Sequence, residues 1–352
     1  RSPSRGLGDV YKRQELVAQI LACIQISLDK KRSPRPVSGK KITEIKSIKS
    51  SDLLAISSMS WRDFFDQKEF IAKCFLDFQE SVAGGRFSMA QCPYPGIISV
   101  YIALRWYLKF DSNDQIYWTK VHLNKLFTAF FWRNSLSQRY DQGFLTRVGS
   151  DVSLIKNFLN KKVKKQKESD WEILANDWLE NLDRMKTSEE LDKVISQALS
   201  DGNTKGALSQ TVNLLLYSRA REDVVDPTLT INNLYDTLQL HHIYPKNWCS
   251  NNITESNEKY TKRTKEGIDW VDSTVNLMPL HSTSNRQWAA KEPSMAITEL
   301  EVHTEAQFNL LKLYFIDKKA LGYLSKGSEG IGDFFNHRKK LIKSEIEKML
   351  VV

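Results

Sequence analysis

Apolar residues recur along most of this chain at spacings of three and four, the period of a helix face. From Glu15 to Leu28 they fall at Leu16, Ile20, Cys23, Ile24 and Leu28. Ser60, with Asp63 three residues on, resembles a capping box and predicts a helix over WRDFFDQKEFIAKCFLDFQESV, stopped by Gly84-Gly85. The run IISVYIALRWYLKF is apolar nearly all round, which predicts a central helix buried on every side. WTKVHLNKLFTAFFWRNSL, SLIKNFLNKKVKKQK, WEILANDWLENLDRM, EELDKVISQALS and TKGALSQTVNLLLYSRAR extend the pattern. Asp201-Gly202-Asn203 and Asp226-Pro227 break it. Strand-like runs stand out in LHHIYP, where Pro245 cannot continue a ladder, and in TVNLMPL.

This pattern predicts a mainly α fold. A multi-helix domain is expected over 51–205, and residues 206–352 are expected to hold a small two-strand-and-helix finger embedded in a helical module. Segment 15–50 reads as a helix followed by a basic linker, with eight basic residues against one acidic between Lys30 and Ser50. Residues 1–14, RSPSRGLGDVYKRQ, lack an initiator Met and resemble an adapter-derived leader of translated metagenomic assemblies. They are set apart from the fold, and the natural protein is expected to extend further upstream.

Charge narrows the partners. The 352 residues carry 51 basic and 42 acidic side chains, a net charge of +9 that favours a polyanion. The basic face of the last helix (Arg338, Lys339, Lys340, Lys343) is an optional DNA contact on this reading. No apolar run reaches the length of a membrane span. Cys23, Cys74, Cys92 and Cys249 lie far apart without a CxxC pair, which reads as reduced thiols in a cytosolic protein. Tryptophans of the helical block are expected in its core, as is His122.

The stretch Leu240–Pro293 holds three of the six histidines, including the one adjacent pair. Hydrolysing a phosphodiester needs an activated water and a cation beside the leaving oxygen. On a strand, neighbouring side chains point to opposite faces, so His241 and His242 can serve different tasks where the strand bends into a loop. His242, neutral near pH 7, is the expected general base. His241 is expected to be one ligand of a divalent metal, Mg²⁺ or Mn²⁺. Asn276 can hydrogen-bond backbone across the loop and hold His242 in place. Asn285 offers a carbonyl oxygen as second metal ligand, and Arg286 a fork for phosphate oxygens. Lys246 and Lys291 are candidate substrate contacts. Asp269 and Asp272 are lesser candidates for a carboxylate ligand, and His281 reads as loop-structural.

Together, HHIYPK (His241–Lys246), Asn276-Leu277, Asn285-Arg286 and Lys291-Glu292-Pro293-Ser294 resemble the C-terminal HNH module of GmrSD-type, modification-dependent restriction endonucleases over about 55 residues. The resemblance implies a ββα-metal finger, metal-dependent DNA cleavage, and defence against phage or other foreign DNA. It also implies an N-terminal nucleotide-dependent sensor domain. This sequence holds neither that domain's Gly-Gln-Gln-Arg-like signature nor a P-loop, so nucleotide hydrolysis and modified-base recognition are assigned to no residue. Many HNH nucleases carry Asp or Glu where His241 stands. The alternative reading is a nucleic-acid-binding or regulatory module of the same fold whose chemistry has decayed.

Overall fold

The computed structural model describes residues 3–28, 44–111, 116–163, 168–229, 238–289, 291–299 and 305–352. Among these, ten helices precede the first strand: α1 (Pro3–Ser27), α2 (Ser50–Leu54), α3 (Ser58–Asp66), α4 (Lys68–Ser81), α5 (Ile98–Trp106), α6 (Lys120–Leu136), α7 (Phe144–Lys162), α8 (Glu168–Glu180), α9 (Ser188–Ser200) and α10 (Gly206–Arg219). Then come β1 (Gln239–His242), α11 (Lys246–Asn251), α12 (Glu258–Thr261), β2 (Leu277–Leu280), α13 (Ser282–Trp288), α14 (Pro293–Glu299), α15 (Glu305–Leu313), α16 (Lys318–Leu324) and α17 (Ile331–Lys348). The fold is mainly α, as the periodicity predicts. Its one sheet among the described residues is the antiparallel pair β1–β2.

The helical block is organised around α5. Every residue from Ile98 to Trp106 is buried, with α1, α4 and α7 packed about it. A helix apolar nearly all round has no solvent face to offer, so it takes the centre. Arg105 is its one charged residue, and its guanidinium reaches Asp77 at 2.5 Å and the Tyr101 hydroxyl at 3.0 Å. A second buried pair ties α7 to the loop before it, where Arg139 grips both carboxylate oxygens of Asp151 at 2.7 and 2.9 Å. Unpaired, either charge would be strongly destabilising there. On α6, Phe127, Phe130, Phe131 and Trp132 are fully buried.

One buried apolar cluster extends from Ile20 to Leu350. Helix α10 packs on α6 and α9, and α17 on α9 and α16. Gly85 permits the close approach of α4's end to α10, because a Cβ there would lie 1.9 Å from the Ser218 carbonyl oxygen.

Several local expectations shift. Helix α1 runs through residues set apart as a leader, beginning at Pro3. The cap expected at Ser60 lies at Ser57, whose side chain accepts from the Ser60 amide. That helix is also interrupted at Gln67, so α3 and α4 are separate. His122 is only partly buried and forms a capping box with Thr119 while its ring meets Trp171 edge-on, 5.2 Å away. Most of the basic linker, residues 29–43, lies outside the described residues.

The last helix corrects the charge reading most clearly. Arg338 is fully buried and faces no DNA. Its guanidinium donates to the carbonyls of Thr274 (3.3 Å), Val275 (2.7 Å), Leu277 (2.7 Å) and Tyr314 (2.9 Å). Lys343 pairs with Asp192 at 2.5 Å, and Lys339 donates to Ser200 at 3.2 Å. Helix α17 is therefore a strut beneath the sheet, with Arg338 turned inward, Lys339 and Lys343 held by partners and Lys340 exposed.

Candidate functional site

The two histidines stand at the end of β1, in register with β2: His241 opposite Met278 and His242 opposite Leu277. All four β2 residues are buried, which anchors the ribbon. Past His281 the chain turns directly into α13, so the order is strand, long loop, strand, helix. Trp288 fastens α13 to β1. It is 1% exposed, sets its ring edge-on to His241 at 5.7 Å, and donates from Nε1 to the Ile243 carbonyl at 3.4 Å. Burying such a ring contributes on the order of 2–3 kcal/mol. Asp223 fixes the turn itself by accepting the His281 amide at 2.7 Å.

Alternation along β1 separates the two imidazoles as strand geometry requires. His241 is buried and meets Asn285 of α13. Burial, aided by the nearby charge of His242, pushes its pKa down to about 4, against the opposing pull of the Asn285 amide. Its Nε2 is buried with no hydrogen-bond partner among the described residues. An orphaned ring nitrogen of this kind is destabilising unless something coordinates it. Asn285 donates from Nδ2 to Gln239 Oε1 at 2.5 Å, and its side chain also lies against the His241 ring. Gln239, two residues before His241 on the same strand face, is a member of the site that sequence reasoning missed. Its only signal was that i,i+2 spacing.

His242 faces a different set. Its Nε2 lies 2.8 Å from Asp272 Oδ1, and Lys246 holds the same carboxylate through both oxygens at 2.6 and 2.7 Å. Burial alone would raise the Asp272 pKa, but hydrogen bonds from Lys246 and His242 outweigh it and hold the carboxyl below its usual range. An ionised carboxylate only accepts, so the proton of a neutral His242 sits on Nε2 and the lone pair on Nδ1. Burial lowers the His242 pKa, with Asp272 opposing and Lys246 assisting. Asp272 thus faces His242 and Lys246. Lys246, expected on the substrate, is the clamp on Asp272.

Asn276 is fully buried and touches backbone alone. Its Oδ1 accepts from the Tyr244 amide at 2.8 Å, and its Nδ2 donates to the carbonyls of Tyr244 (2.9 Å) and Val271 (2.8 Å). It crosses the loop as the sequence predicts and positions the turn after His242 without reaching solvent. Gly202 closes the far side. Its amide donates to the Asp269 carbonyl at 2.7 Å, and a Cβ would fall 2.4 Å from that of Asp272.

Arg286 is exposed, its Nε donating to the Ser282 carbonyl at 3.3 Å, and forms no ion pair among the described residues. Lys291, by contrast, pairs with Glu299 at 2.8 Å. His281 caps α13 through its ring nitrogen. Cys249 is buried, unpaired and raised by burial to about 12. No cluster of three or more His, Cys, Asp or Glu able to hold a metal occurs among the described residues. A cation here would instead meet one imidazole, amide oxygens and water.

No family model and no curated protein matches this chain.

Proposed function

We propose that this chain is a metal-dependent DNA endonuclease of the HNH type, its finger formed by β1, β2 and α13. The observation that carries the reading is the orphaned, buried Nε2 of His241 beside the side-chain amide of Asn285. Those two groups would hold a divalent cation such as Mg²⁺ or Mn²⁺. Bound there, it supplies charge neutralisation at the phosphate and at the leaving oxygen.

The remaining steps belong to the chain's own residues. His242 takes a proton from water at Nδ1, and Asp272 stabilises the imidazolium that forms. Lys246 keeps that carboxylate ionised. Arg286, in the last turn of α13 and without an ion-pair partner among the described residues, meets phosphate oxygens through its fork. Asn276 holds the backbone that aims His242. DNA is the partner on this reading, matching the net charge of +9. By the same resemblance the protein is a restriction or anti-phage factor that works with a nucleotide-dependent sensor domain.

The test is plasmid DNA with Mg²⁺ or Mn²⁺, wild type against His242→Ala. Nicking by the wild type that disappears in the variant supports the reading. DNA binding without nicking under either metal supports a decayed binding module instead.

A further inference from the structure

The long loop between β1 and β2 carries a cavity that the proposed chemistry does not use. It has a volume of about 720 Å³, inside the roughly 300–1,000 Å³ range of small-ligand sites. Its rim is cationic: Lys259, Lys262, Arg263 and Lys265 against two acids, Glu258 and Glu266. Lys262 is paired with Glu258. Lys259, Arg263 and Lys265 have no ion-pair partner among the described residues, so the charge available to a ligand is positive.

The apolar part of its lining is the exposed Ile268 and the half-buried Trp270. It is also preformed. Thr264 accepts the Gly267 amide at 2.9 Å and donates its own to Ile268 at 2.9 Å, while Arg263 Nε binds the Gly267 carbonyl at 3.0 Å. Asn203 ties that carbonyl to the turn after α9 at 2.7 Å. Trp270 itself is backed by Phe335, whose ring lies parallel to it with centroids 6.1 Å apart. Only Val271 separates Trp270 from Asp272, so the cavity opens within about 7 Å of chain from the His242 partner.

Free cations beside a rigid aromatic and aliphatic wall suit one ligand chemistry: a phosphate carrying a planar base. We infer that this cavity binds one nucleotide unit, its phosphate on Lys259 and Lys265 and its unstacked base against Ile268 and Trp270. The unit can belong to a nucleic-acid strand or be a free mononucleotide. The inference extends the nuclease reading but is tested without cleavage, so failure of either is seen separately.

The experiment measures binding of a fluorescein-labelled dT decamer to the full chain in EDTA, with unlabelled dTMP or inorganic phosphate as competitor. Lys259→Gln with Lys265→Gln is expected to weaken the decamer about tenfold and to flatten its salt dependence. Ile268→Ser, which alters only the base's seat, should weaken dTMP while leaving phosphate unchanged. Competition by dTMP with a decamer no tighter would identify a free-nucleotide site; a tighter decamer identifies a strand. The inference is overturned if the double variant binds the decamer like wild type, or if phosphate competes as well as dTMP.

Discussion

Asn276 satisfies both backbone polar groups of Tyr244 at once, accepting its amide at 2.8 Å and donating to its carbonyl at 2.9 Å. One side chain thus behaves as a missing strand residue at the point where β1 leaves its ladder. Asn276→Ala would strand three buried groups, including the Val271 carbonyl. Each costs roughly 1–3 kcal/mol, so a loss of about 3 kcal/mol is expected in urea unfolding. A loss below about 1 kcal/mol would show that water replaces the amide.

Asp272 and Lys246 act on His242 with opposite signs, which makes a paired test. Cleavage through a neutral imidazole falls on the acid side as His242 protonates. Asp272→Asn removes the opposition to burial, so the His242 pKa drops further and the acid limb moves to lower pH. The rate also falls, because the imidazolium loses its counter-charge. Lys246→Gln moves the limb to higher pH. Limbs shifting in the same direction for both variants would exclude His242 as the titrating base.

On the proposed reading, the imidazole at position 241 would set a metal preference. Imidazole is softer than carboxylate, so Mn²⁺ should support activity at least as well as Mg²⁺. His241→Asp is expected to move the balance toward Mg²⁺. Titrating both metals against plasmid nicking checks this, and wild-type activity with Mg²⁺ alone would remove His241 from the ligand set.

In metal-free protein, His241 also ties stability to acid. Its folded pKa of about 4 lies below the usual 6.5, so the unfolded chain binds the proton first. Full stability is therefore present above pH 6.5 and is lost progressively down to about pH 4. At about 1.4 kcal/mol per unit the loss approaches 3 kcal/mol, and His241→Asn should abolish that part of it. Denaturant melts in EDTA from pH 4 to 8 read the slope directly.

Gly202 makes a prediction about reach. With its would-be Cβ 2.4 Å from Asp272, Gly202→Ala must displace that residue or the turn. Loss of activity by up to about 100-fold is expected with the fold retained by circular dichroism. Unchanged kcat would show that the turn yields and the Asp272 carboxylate does not.

What the sequence made legible is local. Helix periodicity and the burial of Ile98–Trp106 are short-range signals, carried by residues a turn or two apart. The partners are not local. Asp272 comes to His242 from 30 residues away, and Gln239 reaches Asn285 across 46. No spacing rule announces either, since both depend on how the long loop closes. Charges misled for the same reason. Lys246, Lys291 and Arg338 read as open cations because a sequence gives the sign of a side chain but not what lies opposite it.

Arg338 gives the site a timetable. Thr274, Val275 and Leu277, whose carbonyls it gathers, leave the ribosome 61–64 residues earlier than the arginine that fixes them. Until then those carbonyls face solvent or one another, and the second strand has no strut beneath it. Both histidines exist in the nascent chain long before the scaffold that aims them. A half-made copy carries both histidines without the strut beneath their sheet.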